Sequence, residues 1–213
     1  LPVATYLLST QDLAIQMRYN NLDGVLALEY FGDATNVYQL DFSHNQIDSI
    51  VPFFNQTASL NYLKLSHNEI SMKMTGDLLN NTPFIEYLLL NHNDFYGVKP
   101  DFVDSRFEFI RVIDFSNNNR LRGTIDLENL LGSTITIEQL DFSNCDFEDV
   151  LLSPPSGSFS AFKQLHLEGN RLHFDDLFDA VHSFAFSIDT AVFDSASGSF
   201  ITQYIPPFWT GFG

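Results

Sequence analysis

Three octapeptides place histidine in the same setting: LDFSHNQI (40–47), LKLSHNEI (63–70) and LLLNHNDF (88–95). His44, His67 and His92 each precede an asparagine and follow two apolar residues spaced two apart. Imidazole is a common metal ligand and the usual general base near neutral pH, so such a row suggests metal binding or proton transfer. Three carboxylates, Asp41, Asp114 and Asp141, recur in another shared slot, where neighbouring acids could hold or move a proton. Zinc, however, needs three or four ligands converging on one point. These histidines lie 23 and 25 residues apart, each in its own copy of a motif, and no carboxylate precedes the asparagine in all three copies. The chain also lacks a glycine-rich phosphate loop, His-Glu-x-x-His, Gly-x-Ser-x-Gly and Asp-x-Asp-x-Asp-Gly. No catalytic residue, metal site or cofactor is assigned, and the chain is not expected to be an enzyme. The histidines ride on a repeating structural unit.

That unit opens at Val37, Leu60, Ile85, Ile110, Ile137 and Phe162, at spacings of 23 to 27 residues. Its frame is apolar-x-x-apolar-x-apolar-x-x-Asn-x-apolar. An earlier copy places Ile15, Met17, Asn20 and Leu22 in register, and a degenerate last copy near Ile188 has Ala196 in the Asn slot. Leu40 and Phe42, or Leu63 and Leu65, alternate with the period of a short strand that buries one face. Such a strand cannot bury that face alone, so copies must stack into a parallel sheet about 4.8 Å per rung. Where the chain then turns, backbone groups need partners. A buried Asn offers two donors and an acceptor, to its own turn and toward the next rung. Asn20, Asn45, Asn68, Asn93, Asn118 and Asn170 form this ladder, with Cys145 in the same slot of the sixth unit as a small buried thiol.

Six well-formed copies of the frame resemble the leucine-rich repeat family over residues 12–200. NNLDGV (20–25), NDFYGVKP (93–100) and NNRLRGTI (118–125) resemble most the plant-type subclass, which writes Leu-x-Gly-x-Ile-Pro after the Asn. The resemblance implies an α/β solenoid of about seven to eight repeats. It would be a right-handed coil with a parallel concave sheet and a convex side of extended pieces and short helical turns such as FDDLFDAV (174–181). Gly24, Gly97 and Gly123 would permit positive-φ turns into a second extended stretch. Phe54, Phe84, Phe107 and Phe184 are expected to stack beneath the outer segments. The departures are the missing Gly in other units, the extra residue after Asn118 and the absence of paired cap cysteines. The chain reads as one domain, with a flank at 1–11, repeats at 12–200 and an aromatic cap or docking segment at 201–213.

The composition agrees with a recognition surface and narrows the partners. Apolar residues make up 45% and charged residues 17%, a globular balance. With 27 acidic against 10 basic residues, the net charge of −17 disfavours nucleic acid and anionic membranes, whose binding rests on Lys and Arg. No apolar run approaches the ~20 residues of a spanning helix. The single cysteine excludes an internal disulfide. The chain starts at Leu1 without a signal-like stretch and is read as a mature product or a fragment. Two sequons, at Asn55 and Asn80, each lie five residues before the next unit opens. Both would project from one outer stripe, and they argue for N-glycans and an extracellular or secretory location. The acidic runs at 146–150 and 174–180 read as solvated loop faces.

The expected function is non-catalytic extracellular recognition or scaffolding, with a protein, peptide or glycan bound on the concave sheet. Tyr19, Asp41, His44, Lys64, His67, His92, Asp114, Asn117, Asp141, Asn144 and His166 are the candidate contacts. The alternative is a structural subunit of an extracellular assembly or filament. Copies would join end to end through the apolar LPVATYLL start and the tail residues Tyr204, Phe208, Trp209 and Phe212.

Overall fold

A computed structural model describes residues 12–31, 34–52, 59–75, 78, 81–98, 109–126, 136–151, 163–172, 190–194 and 200–203. The alternation of each unit forms a short strand that turns apolar side chains such as Leu40, Leu63, Leu88 and Leu165 inward. In chain order these are β1 (Leu13–Gln16), β3 (Val37–Asp41), β5 (Tyr62–Lys64), β6 (Tyr87–Leu89), β8 (Val112–Asp114), β10 (Gln139–Asp141), β12 (Gln164–His166) and β13 (Thr190–Asp194). All eight pair in parallel, each with the next, and β14 (Phe200–Gln203) closes the sheet antiparallel to β13. The register carries one repeat slot onto the next: Leu40 faces Leu63, Leu63 faces Leu88, and Leu88 faces Ile113.

After each Asn the chain runs into a second extended stretch. β2 (Asp23–Ala27) pairs in parallel with β4 (Gln46–Val51). β7 (Tyr96–Val98), β9 (Arg120–Asp126) and β11 (Asp146–Leu151) form a three-stranded parallel sheet. Residues 69–74 link the two groups: Glu69 N–H donates to Ile47 O at 2.9 Å, and Met74 N–H to Tyr96 O at 2.8 Å. Gly24 (φ 74°), Gly97 (φ 135°) and Gly123 (φ 92°) lie in β2, β7 and β9, where an L-residue would be strained.

The core between the two layers consists of apolar columns one rung apart. Leu40, Leu63, Leu88, Ile113, Leu140 and Leu165 make one column, and Phe42, Leu65, Leu90, Phe115, Phe142 and Leu167 another. Ile47, Ile70, Phe95, Leu121, Phe147 and Leu172 come from the second stretch. Each such side chain is worth about 1.5–3 kcal/mol of burial, and no single coil could achieve it alone.

Among the described residues both layers are mainly extended, with a 3-10 helix at Leu28–Phe31; the expected helical turn at 174–181 lies outside them. One expectation is corrected. Phe84 is not beneath the outer segment: it is 41% exposed and meets the exposed Phe109 at 5.6 Å between ring centroids. Phe54, Phe107 and Phe184 lie outside the described residues. The core rings are instead Phe42, Phe95, Phe115, Phe142 and Phe147, with Phe115 and Phe142 stacked at 5.9 Å.

Candidate ligand-binding face

The turn that ends each strand decides which side chains reach solvent. Asn45 Nδ2 donates to Phe42 O in its own turn and to Met17 O of the preceding coil, both at 2.9 Å, while its Oδ1 accepts from Leu22 N–H at 3.1 Å. Asn68, Asn93, Asn118 and Asn170 repeat the pattern, accepting from Ile47, Ile70, Phe95 and Phe147 N–H respectively. The inter-rung bonds therefore run to the preceding coil, not to the next. Asn20 differs from the expected ladder member. It is exposed and donates only within its own turn, to Met17 O and Arg18 O, with no earlier described coil to reach.

Cys145 is buried, its Sγ 3.4 Å from Phe115 O, and burial pushes the thiol up to about 12. It supplies no acceptor for the preceding turn. That turn carries the extra residue, and it closes on itself through Leu121 N–H to Asn118 O at 3.0 Å.

The residue before the Asn slot is left-handed in every described turn: Tyr19, His44, His67, His92, Asn117 and Asn144 have φ of 53–59°, and Gly169 has φ 70°. Asn and Gly tolerate this region cheaply, whereas a Tyr or His there carries strain. In the first four turns the rings stack. Centroids are 4.2 Å apart for Tyr19–His44, 4.2 Å for His44–His67 and 4.0 Å for His67–His92, with interplanar angles of 13°, 11° and 19°. Burial first, then neighbouring His92 and His44, lowers the pKa of His67. Among the described residues no three His, Cys, Asp or Glu side chains group as metal ligands would. The slot's Asn, Asn and Gly in the later units were the sequence signal for its left-handed backbone.

Along the strands, alternate side chains line the open face of the long sheet. One row is Asp41, Lys64, Leu89, Asp114, Asp141 and His166. Asp41 is a correction: it is 3% exposed, and its Oδ1 accepts from Ser43 N–H at 3.1 Å and from the Ser43 hydroxyl. It is a turn-closing group and not a surface contact. Asp114 and Asp141 make the same bond to Ser116 N–H (2.9 Å) and Ser143 N–H (3.0 Å) but stay half-buried. Burial raises the Asp114 pKa, the Ser116 bonds oppose this, and Asp141 raises it further. His166 Nδ1 lies 3.8 Å from Glu168 Oε1. Asn117 is half-buried and Asn144 exposed beyond the strand ends.

The neighbouring row holds what sequence reasoning missed. Tyr62 and Tyr87 stack at 4.6 Å with 6° between planes, and Tyr38 meets Tyr62 edge-on at 6.4 Å. Lys64 Nζ stands 5.8 Å from the Tyr62 centroid. The alternation that exposes Lys64 exposes Tyr62 two residues earlier, so the signal was present. At the strand starts, Arg111 and Lys163 both pair with Glu138, the latter at 3.1 Å, which holds Glu138 below the usual carboxylate range. The sequon residues Asn55 and Asn80, and the tail residues Tyr204, Phe208, Trp209 and Phe212, lie outside the described residues.

No family model matches the sequence, and no curated protein does. Solved structures do match. The plant peptide hormone receptor RGFR1 in complex with RGF2 superposes with TM-score 0.70 at 23% identity, over 85% of this chain and 28% of that one. The fold is a leucine-rich repeat solenoid. The LRR ectodomain of the plant membrane receptor kinase GASSHO1/SCHENGEN3 from Arabidopsis thaliana, in complex with CASPARIAN STRIP INTEGRITY FACTOR 2, gives TM-score 0.63 at 23% identity over 87% and 21% of the two chains. PEPR1-AtPEP1 gives 0.61 at 18% identity over 76% and 22%. This chain thus spans between a fifth and a third of the length of the structures it resembles.

Proposed function

We propose that this chain is a non-catalytic recognition module of the plant-type leucine-rich repeat kind, with seven to eight repeats, that binds a peptide or protein on the open face of its long sheet. The observation that carries the reading is that face itself. Parallel strands in unbroken register present half-exposed rings and charged groups in rows one rung apart. Two of the matched solenoids are plant receptors solved in complexes, one of them a peptide hormone receptor with RGF2, which makes a peptide the first candidate. An extracellular or secretory location, with N-glycans at Asn55 and Asn80, belongs to the same reading. Among the described residues no helix is long and apolar enough to cross a membrane.

The test is panning of a displayed random octapeptide library on the immobilised chain. Binding should be lost in Tyr62→Ala/Tyr87→Ala and kept in Arg120→Ala on the opposite layer. Equal loss in both, or in neither, refutes the assignment of the face.

A second reading, a subunit joined end to end, draws on the exposed Met17, Tyr19, Leu22 and Val25 along the first coil. Light scattering separates the two: polymers that grow with concentration favour the subunit, and a constant monomer mass the recognition module.

A further inference from the structure

The open face has two walls of rings. Tyr38, Tyr62 and Tyr87 stand at the strand starts, and His44, His67 and His92 just past the strand ends. In the β5 unit the walls, at Tyr62 and His67, are five residues apart, roughly 15 Å of chain, which leaves room for one extended strand running across the rungs. The floor row starts between these walls, runs on past them onto β8 and β10, and changes charge along the solenoid. Lys64 lies at the early end; Asp114 and Asp141 follow two and three rungs later.

Among the described residues none of these three groups forms an ion pair. Asp114 and Asp141 stand directly opposite each other on adjacent strands. Like charges in that position destabilise a sheet. The turn bonds to Ser116 and Ser143 need only an oxygen acceptor, which Asn would also supply, so the turn does not explain the charge. The unrelieved pair is instead what a cationic group would neutralise.

We propose that the furrow binds an extended peptide with opposite charges at its two ends, a Lys or Arg over Asp114 and Asp141 and an acidic residue at Lys64. This rests on the recognition reading above and specifies its ligand. Two to three rungs of about 4.8 Å, at about 3.3 Å per extended residue, put the two charges about three to four residues apart. The Tyr62–Tyr87 pair takes an apolar or aromatic side chain at the acidic end. Because the floor charges differ in sign, only one direction of the peptide fits.

The experiment uses peptides enriched by the panning, synthesised with a fluorophore and titrated by anisotropy at neutral pH and low salt. The expected sequences share an acid and a base three to four residues apart in one fixed order. Asp114→Asn/Asp141→Asn and Lys64→Glu should each weaken binding about tenfold, as expected when one charge-assisted hydrogen bond is removed. Replacing the peptide's basic residue by Gln should abolish the sensitivity to the aspartate variant alone. Asn retains the turn acceptor, and circular dichroism of both variants checks that the fold persists. Enriched peptides that need Tyr87 yet show neither the charge spacing nor sensitivity to these variants overturn this inference and leave peptide recognition standing. Failure to enrich any peptide dependent on Tyr87 or on these charges overturns both.

Discussion

Replacing Asn118 with Ala tests the physical basis of the solenoid most directly. The side chain is fully buried and makes four hydrogen bonds. Nδ2 donates to Leu90 O (3.1 Å), Phe115 O (2.8 Å) and Ser116 O (3.4 Å). Oδ1 accepts from Phe95 N–H at 3.0 Å. All three carbonyls keep other partners, since Asn93 Nδ2 also reaches Leu90 O, Cys145 Sγ also reaches Phe115 O, and His92 N–H also donates to Ser116 O. The buried N–H of Phe95 loses its acceptor. An unsatisfied buried donor costs about 1–3 kcal/mol, and the lost net bonds about 1 kcal/mol more, so the change should destabilise by roughly 2–4 kcal/mol. Asn20 is exposed and closes only its own turn, so Asn20→Ala should fall within about 0.5 kcal/mol of the parent. Urea unfolding followed by circular dichroism measures both, read as a lowered midpoint at unchanged slope. Equal effects of the two substitutions, or an Asn118→Ala midpoint unchanged from the parent, would show that the ladder does not join the coils.

Leu88→Ala should cost about 2–5 kcal/mol in the same assay, because Leu88 is buried between rungs that cannot close on the gap. Cys145 should resist an aromatic disulfide reagent at pH 8 in the folded protein and react at once in urea, since burial pushes the thiol up to about 12; rapid folded-state labelling would contradict its burial. The folded pKa of His67 is depressed, so the unfolded chain binds the proton first as pH falls. Its contribution is present above the ordinary imidazole value near 6.5 and is lost on acidification through the lowered one. His67→Asn, which keeps a residue tolerant of the left-handed turn, should therefore flatten the fall in melting temperature between about pH 7 and 5; identical pH profiles would refute the stacked-ring account.

Much of the architecture was legible in the residue pattern because it is local and repeated. The alternation at Leu63 and Leu65, the Asn after each strand and the glycines of the second stretch depend on the backbone of one coil. Six copies announce the same requirement. The His slot could have been read as left-handed from Asn117, Asn144 and Gly169. The Tyr62–Tyr87 row could have been read from the same alternation that exposed Lys64. Asp41, Asp114 and Asp141 could not be told apart that way, since each sits in the same Asp-Phe-Ser phrase.

The sequence by itself determined that the chain must coil, where each rung turns and which strand side chains face the interior, since these follow from periods of two and of about 25 residues. Tertiary structure alone decided that Asp41 is buried while Asp114 and Asp141 look outward, that each ladder Asn after Asn20 reaches back to the coil before it, and that four rings stand face to face. Those outcomes depend on neighbours 21 to 28 residues away in the chain, brought within bonding distance only when the rungs stack.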